Sequence, residues 1–348
     1  MGKIMTRMGS GFPVEMSESQ LMEDLTAGTE DAADRGKIPP LSEEELKYLF
    51  DLFTSTDRFL SVESGKEIVL SYDASPLKII RAAVDVHRIQ SLQIYEKLLG
   101  ADTLELGHVD YSFKPVKPIL GTEQTVLEQT LMVTHPPLFY GAMPNLGLYS
   151  QPDGPFPNPS ELMPLGKIAE ARDSSERAVE DAVKDIVYVS SAMYESGADG
   201  INMDTTGAAG DADFLAALRA TEILKQKYPD ICIELGMSGE FILGLHGELE
   251  YNGKRLAGLY AHDQVELAQK AGATIFGPVV NMKSTRSCPW NLSRAITFIK
   301  ACCEKADIPI HVNMGMGVGG VPLTNHPPVD ITSRASKAMV EICRLDGL

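Results

Sequence analysis

From residue 101 onward, short apolar runs alternate with longer amphipathic segments. The runs are rich in β-forming residues and bounded by glycine or proline, which is typical of buried strands, whereas the segments between them repeat apolar residues at helical spacing. The six predicted strands lie in "TLELGHVDY", "PPLFYGAMPN", "GINMDTTGAAGD", "ICIELGMSGE", "TIFGPVVN" and "IPIHVNMGMGVGG". This alternation predicts a parallel sheet whose strands are joined by helices.

The junctions between the predicted elements indicate which α/β architecture to expect. In "SGADG" and "KAGAT", a glycine ends a helix and the chain passes directly into the next strand. Polar residues and glycines are concentrated at the carboxyl ends of the predicted strands, whereas the amino ends carry few of them. A (β/α)₈ barrel places its reactive groups at the carboxyl ends of its strands. We therefore predict an incomplete TIM-type (β/α)₈ barrel with about six strands present.

The last segment, "RASKAMVEICRLDGL", predicts a helix that leads into a further strand. Its apolar residues from Ala335 to Cys343 recur at the spacing of one helix face. Asp346 and Gly347 then form a turn signal. The next barrel strand should begin at this turn, so we expect the last two strands to be absent from the sequence.

The first hundred residues follow a different, mostly helical pattern. "SESQ" and "SEEE" each place a serine three residues before Gln or Glu, which predicts helix starts capped by Ser17 and Ser42. Gly28 is a candidate end for the first helix. We predict an N-terminal, mostly helical extension over residues 1–100 and a truncated barrel over residues 101–348.

The part of this extension nearest the barrel is predicted from weaker patterns. "SVESGKEIVLSYD" favours a short hairpin that turns at Ser64 and Gly65. An amphipathic helix is expected from about Leu77 to Leu99.

Composition narrows the classes of partner and compartment. The 48 acidic and 31 basic residues give a formal net charge of −17, which repels nucleic-acid phosphates and anionic membrane surfaces. No apolar run approaches the length of a membrane span. Five cysteines without an even count or a C-x-x-C pair indicate reduced thiols. We expect a cytoplasmic protein that binds neither nucleic acid nor membrane.

Carboxylates at the predicted strand ends are the candidate substrate-binding groups. A carboxylate inside a strand is costly to bury unless it is paired or acts at a site. Such groups can hold a small ammonium ion and exchange a proton with an amine; the alternative is that they cap helices or pair with lysines. The candidates are Glu105, Asp110, Asp204, Glu234 and Glu240.

A glycine-rich loop follows the last predicted strand. "GMGVGG" matches a dinucleotide-binding pattern, but "VPLTNHPPVD" follows it and predicts no helix, which that motif requires. Glycines can instead let a large flat ligand approach the backbone, and the candidates are Gly315, Gly317, Gly319 and Gly320. No H-x-H pair or thiolate cluster indicates a metal site.

Several long strings together resemble one enzyme family. They are "GADTLELGHVDYSFKPVKP", "PLFYGAMPNLGLY", "SGADGINMDTTGAAGDADF", "AGATIFGPVVN", "IPIHVNMGMGVGG" and "PPVDITSRASKAMVEI". The chain resembles the dimethylamine:corrinoid protein methyltransferases of methylotrophic methanogens. The similarity runs in unbroken order from about Ala101 to the last residue, Leu348.

The resemblance implies an activity and a catalytic group. Family members carry pyrrolysine, read from an in-frame amber codon, directly after the segment that here is Asp346 to Leu348. They transfer a methyl group from dimethylamine to the Co(I) corrinoid of a partner protein, in methanogenesis from methylamines. The catalytic residue is then absent from this sequence, and the chain as given is expected to be inactive.

The resemblance also implies how the candidate residues divide their roles. The corrinoid, of the cobalamin type, is expected to be supplied by the cognate corrinoid protein rather than bound tightly by this chain. The carboxylates would hold the amine, and the glycine loop would face the corrin. Two alternatives stay open: a barrel methyltransferase for another methylated amine, and a non-catalytic module that binds the corrinoid protein. A homo-oligomer is compatible with the sequence, which does not fix its size.

Overall fold

A computed structural model shows a mixed α/β architecture, as predicted. It describes residues 3–66, 68, 70–73, 77–79, 84–86, 103–107, 116–118, 138–144, 146–204, 206–207, 210–244, 248–315, 317–324 and 327–348. The strands are β1 Ile4–Arg7, β2 Pro13–Met16, β3 Leu70–Asp73, β4 Leu77–Ile79, β5 Val84–Val86, β6 Thr103–Gly107, β7 Val116–Pro118, β8 Leu138–Pro144, β9 Gly200–Met203, β10 Cys232–Ser238, β11 Glu250–Tyr251, β12 Lys254–Arg255 and β13 Ile275–Pro278.

The helices lie mainly before β3 and after β8. They are α1 Glu18–Gly36, α2 Glu43–Thr54, α3 Pro159–Leu162, α4 Ile168–Glu195, α5 Asp211–Lys227, α6 Ala261–Ala271, α7 Cys288–Lys305 and α8 Val329–Ala338. Short 3₁₀ segments cover Leu146–Tyr149 and Met163–Leu165, and a π-helical turn, Met339–Cys343, continues α8. From β9 onward the predicted alternation of strand and helix is confirmed.

The main sheet joins β3, β6, β8, β9, β10 and β13 in chain order, and each neighbouring pair is parallel. Parallel strands need long crossovers, which α4, α5 and α6 provide. The exception to this direction is β7, which pairs antiparallel with β8. The parallel sheet predicted from the alternating pattern is therefore present.

Two further segments extend the parallel pairing beyond β13. Ile310 forms a parallel bridge with Phe276, and His311 forms one with Gly347. The amide of Gly347 donates to the carbonyl of Ile310 at 3.2 Å, and the Asp346 carboxylate accepts a hydrogen bond from the Ile310 amide at 2.9 Å. The predicted turn at Asp346 thus leads into strand pairing, as the sequence indicated.

Two predictions between residues 60 and 100 are corrected. β3 pairs in parallel with β6, so this segment belongs to the main sheet and is not the second arm of a hairpin. β4 and β5 pair antiparallel with each other, where an amphipathic helix was expected. Alternation of apolar and charged residues in "LKI" and "VDV", with β-branched Ile79, Val84 and Val86, favours strands at these positions. The rest of the expected helix, residues 80–83 and 87–99, lies outside the described residues.

The N-terminal helices begin where their caps predict and pack against a helix far along the chain. Ser17 and Ser42 each form a complete capping box. Gly28, however, does not end α1, which continues to Gly36. A Cβ at Gly28 would lie 2.2 Å from the carbonyl oxygen of Trp290 in α7, so this glycine permits a close helix–helix contact instead.

Polar contacts between the same two helices fix their alignment. Ser293 Oγ donates to the carbonyl of Leu25 at 2.6 Å, and the hydroxyls of Thr29 and Thr297 lie 2.8 Å apart.

The predicted division into an N-terminal extension over residues 1–100 and a barrel over residues 101–348 stays a proposal.

Candidate functional site

The site lies on one face of the sheet, opposite to the face that packs against the apolar core. Ile201 of β9 and Ile233 of β10 are completely buried in the hydrophobic core. The next residue in each strand, Asn202 and Glu234, points to the opposite face because side chains alternate along a strand. Asn202 and Glu234 are paired in register, so their side chains lie side by side.

Glu234 of β10 is held by His311, whose segment lies two strand positions away from β10 in the sheet. Its Oε1 lies 2.5 Å from Nδ1 of His311, and the residue is 2% exposed. A histidine on one carboxylate oxygen fixes the plane of the carboxylate and directs the second oxygen. His311 therefore fixes the orientation of the Glu234 carboxylate on the sheet face that carries both residues.

The second oxygen of Glu234 has no partner. Oε2 is buried and accepts no hydrogen bond from any of the described residues. Buried carboxylate oxygens are almost always hydrogen-bonded, because an unmet acceptor loses its hydration without compensation. The arrangement is suited to a small cationic ligand that brings its own N–H donor.

Two glycines form the walls beside this carboxylate. A Cβ at Gly277 would lie 3.3 Å from Glu234 Oε1 and 3.0 Å from the Cα of Gly236. A Cβ at Gly236 would lie 2.5 Å from Asn202 Oδ1. Since any side chain would fill this space, both positions require glycine for the carboxylate and the amide to keep their places.

The predicted candidate Glu240 belongs to a separate cluster. Its carboxylate forms a buried ion pair with Arg294, whose Nε also donates to Asp31 at 2.7 Å. Lys283 lies 3.4 Å from Asp31. Burial alone would raise the pKa of Asp31, but hydrogen bonds from Arg294 and Arg35 outweigh it and hold that pKa below its usual value. Glu240 thus links the end of β10 to α7 and α1.

The other candidate carboxylates are placed as follows. Asp204 directly follows β9 and is 5% exposed, at the carboxyl end of the same strand that carries Asn202. Nearby, the buried hydroxyls of Thr206 and Ser238 lie 2.6 Å apart. Glu105 lies within β6, whose side chains are outside the description, and Asp110 lies outside the described residues.

The glycine-rich loop has a structural reason for its composition. Gly315, Gly317, Gly319 and Gly320 all have positive φ, between 66° and 141°. A Cβ at Gly320 would lie 2.7 Å from a methyl carbon of Leu292 in α7. The next helix begins only at Val329, which agrees with rejecting the dinucleotide-binding motif.

Sequence reasoning selected Glu234 but not the residues around it. Asn202 and His311 are polar residues inside otherwise apolar strands, in "GINMD" and "IPIHVN", and this is the signal that could have found them. The sequence around Arg294 contains no such signal, because this residue lies in an ordinary amphipathic helix. Its role depends on partners far away in the sequence.

Metal ligands, membrane spans and thiols were also considered in the sequence, and the described residues bear on all three. They contain no group of three or more His, Cys, Asp or Glu side chains placed to hold a metal ion. In the same part of the chain, no helix is both long and apolar enough to span a membrane. The five cysteines are free thiols, and burial raises the pKa of Cys302 and Cys343 well above the usual value.

The chain was compared with known proteins. A family model described as "Dimethylamine methyltransferase (Dimeth_PyL)" matches residues 2–348. Among solved structures, the crystal structure of CobT from Thermus thermophilus is 13% identical, with 92% of this chain and 96% of that chain covered at a TM-score of 0.17. The match over residues 2–348 shows that this chain is a methyltransferase of the dimethylamine methyltransferase family, in methylamine metabolism.

Proposed function

We propose that the protein transfers a methyl group from dimethylamine to the Co(I) corrinoid of a partner protein, in methanogenesis from methylamines. Family membership supports the substrate and the methyl transfer. The observation that carries the proposal for this chain is the buried Glu234 carboxylate, whose Oε2 lacks a donor among the described residues. An ammonium N–H is the donor that such an oxygen binds best.

Glu234 would act by keeping the substrate nitrogen cationic. A neutral amine is a poor leaving group, so methyl transfer requires a positively charged nitrogen. In a site shielded from water, a carboxylate stabilises that charge more strongly than it would in solution. When the C–N bond breaks, its electron pair stays on nitrogen and methylamine leaves. The Co(I) corrinoid supplies the nucleophile that accepts the methyl group.

The pairing of Gly347 supports the proposed place of the family's electrophile. Gly347 is paired with His311, which contacts Glu234. Residues two apart in a strand face the same side, so a residue directly after Leu348 would share the face of Gly347 and His311. We assign pyrrolysine to that position on the basis of the resemblance. Glu105, Asp110 and Asp204 remain proposed secondary contributors to the acidic surroundings of the amine, whereas the buried ion pair with Arg294 gives Glu240 a structural role.

The sheet order supports a (β/α)₈-type barrel, which the sequence predicts to be incomplete with about six strands present. The six strands from β3 to β13, followed by the bridged segments at Ile310 and Gly347, give eight parallel positions in chain order. A barrel of this type places its active site at the carboxyl ends of the strands. The loop with Gly315 to Gly320 follows one of these ends, and we propose it as a corrin-facing surface. The reduced thiols favour a cytoplasmic location.

The test begins with protein purified from its native cells. Its intact mass, compared with 37.8 kDa for residues 1–348, and its peptides show whether pyrrolysine follows Leu348. Methyl transfer from dimethylamine to the reduced corrinoid protein is then followed by the visible spectrum of the corrinoid.

We expect Glu234→Gln to lower kcat/KM for dimethylamine by about 10- to 100-fold, because a hydrogen bond to a charged group is lost. Glu250→Gln, a change at an exposed carboxylate, is the matched control and should leave kcat/KM unchanged. Equal kcat/KM in wild type and Glu234→Gln would contradict the proposed role. Turnover of a different methylated amine, or corrinoid-protein binding without any turnover, would favour the alternative functions.

A further inference from the structure

A second acceptor oxygen lies beside the one on Glu234. Asn202 Oδ1 is buried and, like Glu234 Oε2, has no hydrogen-bond partner among the described residues. The two residues are in register on neighbouring parallel strands, a placement that brings their side chains within reach of one small ligand. Within the described part of the chain, the site therefore offers two adjacent acceptors and no donor to either.

The surroundings hold the Glu234 carboxylate in place and leave room for Asn202 Oδ1. His311 holds the other oxygen of Glu234, and Gly236 leaves room for Asn202 Oδ1, which a Cβ would approach to 2.5 Å. Asn202 is partly exposed while Glu234 is 2% exposed, so the amide lies on the more open side of the pair. A ligand reaching Glu234 from that side would pass Asn202.

The number of acceptors matches one class of methylated amine. A secondary ammonium ion carries two N–H donors, a tertiary ion carries one and a quaternary ion carries none. A buried acceptor left without a donor is penalised. A tertiary ammonium ion can satisfy one oxygen and leaves the other buried without a donor, whereas a secondary ion can satisfy both. This mismatch is a mechanism for rejecting the more highly methylated amine.

We infer that Asn202 is a specificity-determining residue: its Oδ1 accepts one N–H of a secondary ammonium ion while Glu234 Oε2 accepts the other. His311 is a positioning residue that acts through Glu234. The inference rests on the proposed function and adds to it the residue that distinguishes secondary from tertiary ammonium ions.

The experiment is a calorimetric titration of the full-length protein with dimethylammonium, trimethylammonium and tetramethylammonium chloride at neutral pH. We expect Asn202→Ala to weaken dimethylammonium binding by about tenfold, the effect of one hydrogen bond to a charged group, and trimethylammonium binding by less than about twofold. The preference for the secondary ion then falls by roughly the ratio of these two changes. Asn281→Ala, at an exposed asparagine, is the matched control.

Asn202→Asp tests the same point without removing the acceptor. It keeps an oxygen in place of Oδ1, so the preference for dimethylammonium over trimethylammonium should be retained or increased. An unchanged preference in Asn202→Ala, or its loss in Asn202→Asp with circular dichroism like that of wild type, would overturn the inference. If Asn202→Ala does not fold, Asn202→Asp alone decides.

Failure of the proposed function gives a different result. If Glu234→Gln leaves the binding of both ammonium ions unchanged, the amine does not bind at this carboxylate. The proposed function then loses the observation that carries it for this chain. If Glu234→Gln weakens both ions while Asn202→Ala alters neither, the proposed function stands and the inference about Asn202 is wrong.

Discussion

At the scale of single residues, the most consequential arrangements are buried charges that either have partners or lack them. Arg294 is 2% exposed and holds two carboxylates, Glu240 and Asp31. Glu234 has one oxygen on His311 and the other without a partner among the described residues. The first arrangement is complete and structural. The second is incomplete and is the one that a ligand would complete.

We predict that Arg294→Met lowers the free energy of unfolding by about 3–5 kcal/mol, because it leaves Glu240 buried without its cation. Urea unfolding followed by circular dichroism measures this change. The exposed pair of Lys184 and Asp181 provides the control, since Asp181→Asn should alter the free energy of unfolding by less than about 1 kcal/mol. A loss in Arg294→Met no larger than in the control would contradict a structural role for the buried pair.

At the scale of elements, the contact between α1 and α7 joins the N-terminal segment to the helices that follow the sheet. Ser293 and Thr297 of α7 bond to Leu25 and Thr29 of α1. The close approach depends on Gly28, which lies against the Trp290 carbonyl. Helix propensity and helix packing therefore act in opposite directions at this glycine.

Gly28→Ala distinguishes these two effects. Propensity alone would stabilise α1 by roughly 0.5–1 kcal/mol, but the added methyl would overlap the Trp290 carbonyl, and such overpacking costs about 1–3 kcal/mol. We expect a lower thermal unfolding midpoint for Gly28→Ala. The neighbouring control, Ala27→Gly at an exposed position, should also lower the midpoint, through propensity alone. A higher midpoint for Gly28→Ala would show that α1 can move away from α7.

Sequence patterns predicted the elements whose causes are local. The capping boxes at Ser17 and Ser42 depend on residues three positions apart, and both helix starts are confirmed. Gly28 was misassigned as a helix end because the contact that requires it lies in a distant helix. β3 was placed in a hairpin because its actual partner, β6, begins about thirty residues later. Local pattern carries no information about such partners.

The candidate site was predictable to a similar extent. Its position within an apolar strand singled out Glu234, which is buried in the structure and stays a proposed site residue. The roles of His311 and Asn202 depend on which strands are neighbours and on their register, which the sequence alone did not fix.

At the scale of the whole molecule, ionisable groups make folding depend on pH. Burial lowers the pKa of His262 below 6.5, with Lys305 and Lys254 acting in the same direction and Asp263 opposing them. The folded protein thus binds this proton more weakly than the unfolded chain does. The stability that neutral His262 contributes is present above pH 6.5 and is lost as the pH falls below that value.

We predict that the free energy of unfolding decreases between about pH 7.5 and about pH 5.5, and that His262→Gln makes this decrease smaller. Urea unfolding at both pH values measures the slope, which is informative even if the variant is less stable throughout. Carboxylates with lowered pKa values, such as Asp263 and Glu341, lose their contribution only at more acidic pH. An identical slope in wild type and His262→Gln would assign the pH dependence to other groups.

The contact between α1 and α7 also has a consequence during synthesis. Ser293 and Leu25 are 268 residues apart, and at about 5–20 residues per second the ribosome needs roughly 15–50 s to cover that distance. During this interval Leu21 and Leu25, which are fully buried in the finished protein, have been translated but cannot yet be covered by α7. The nascent N-terminal helix therefore exposes apolar side chains that chaperones can bind until α7 has been synthesised.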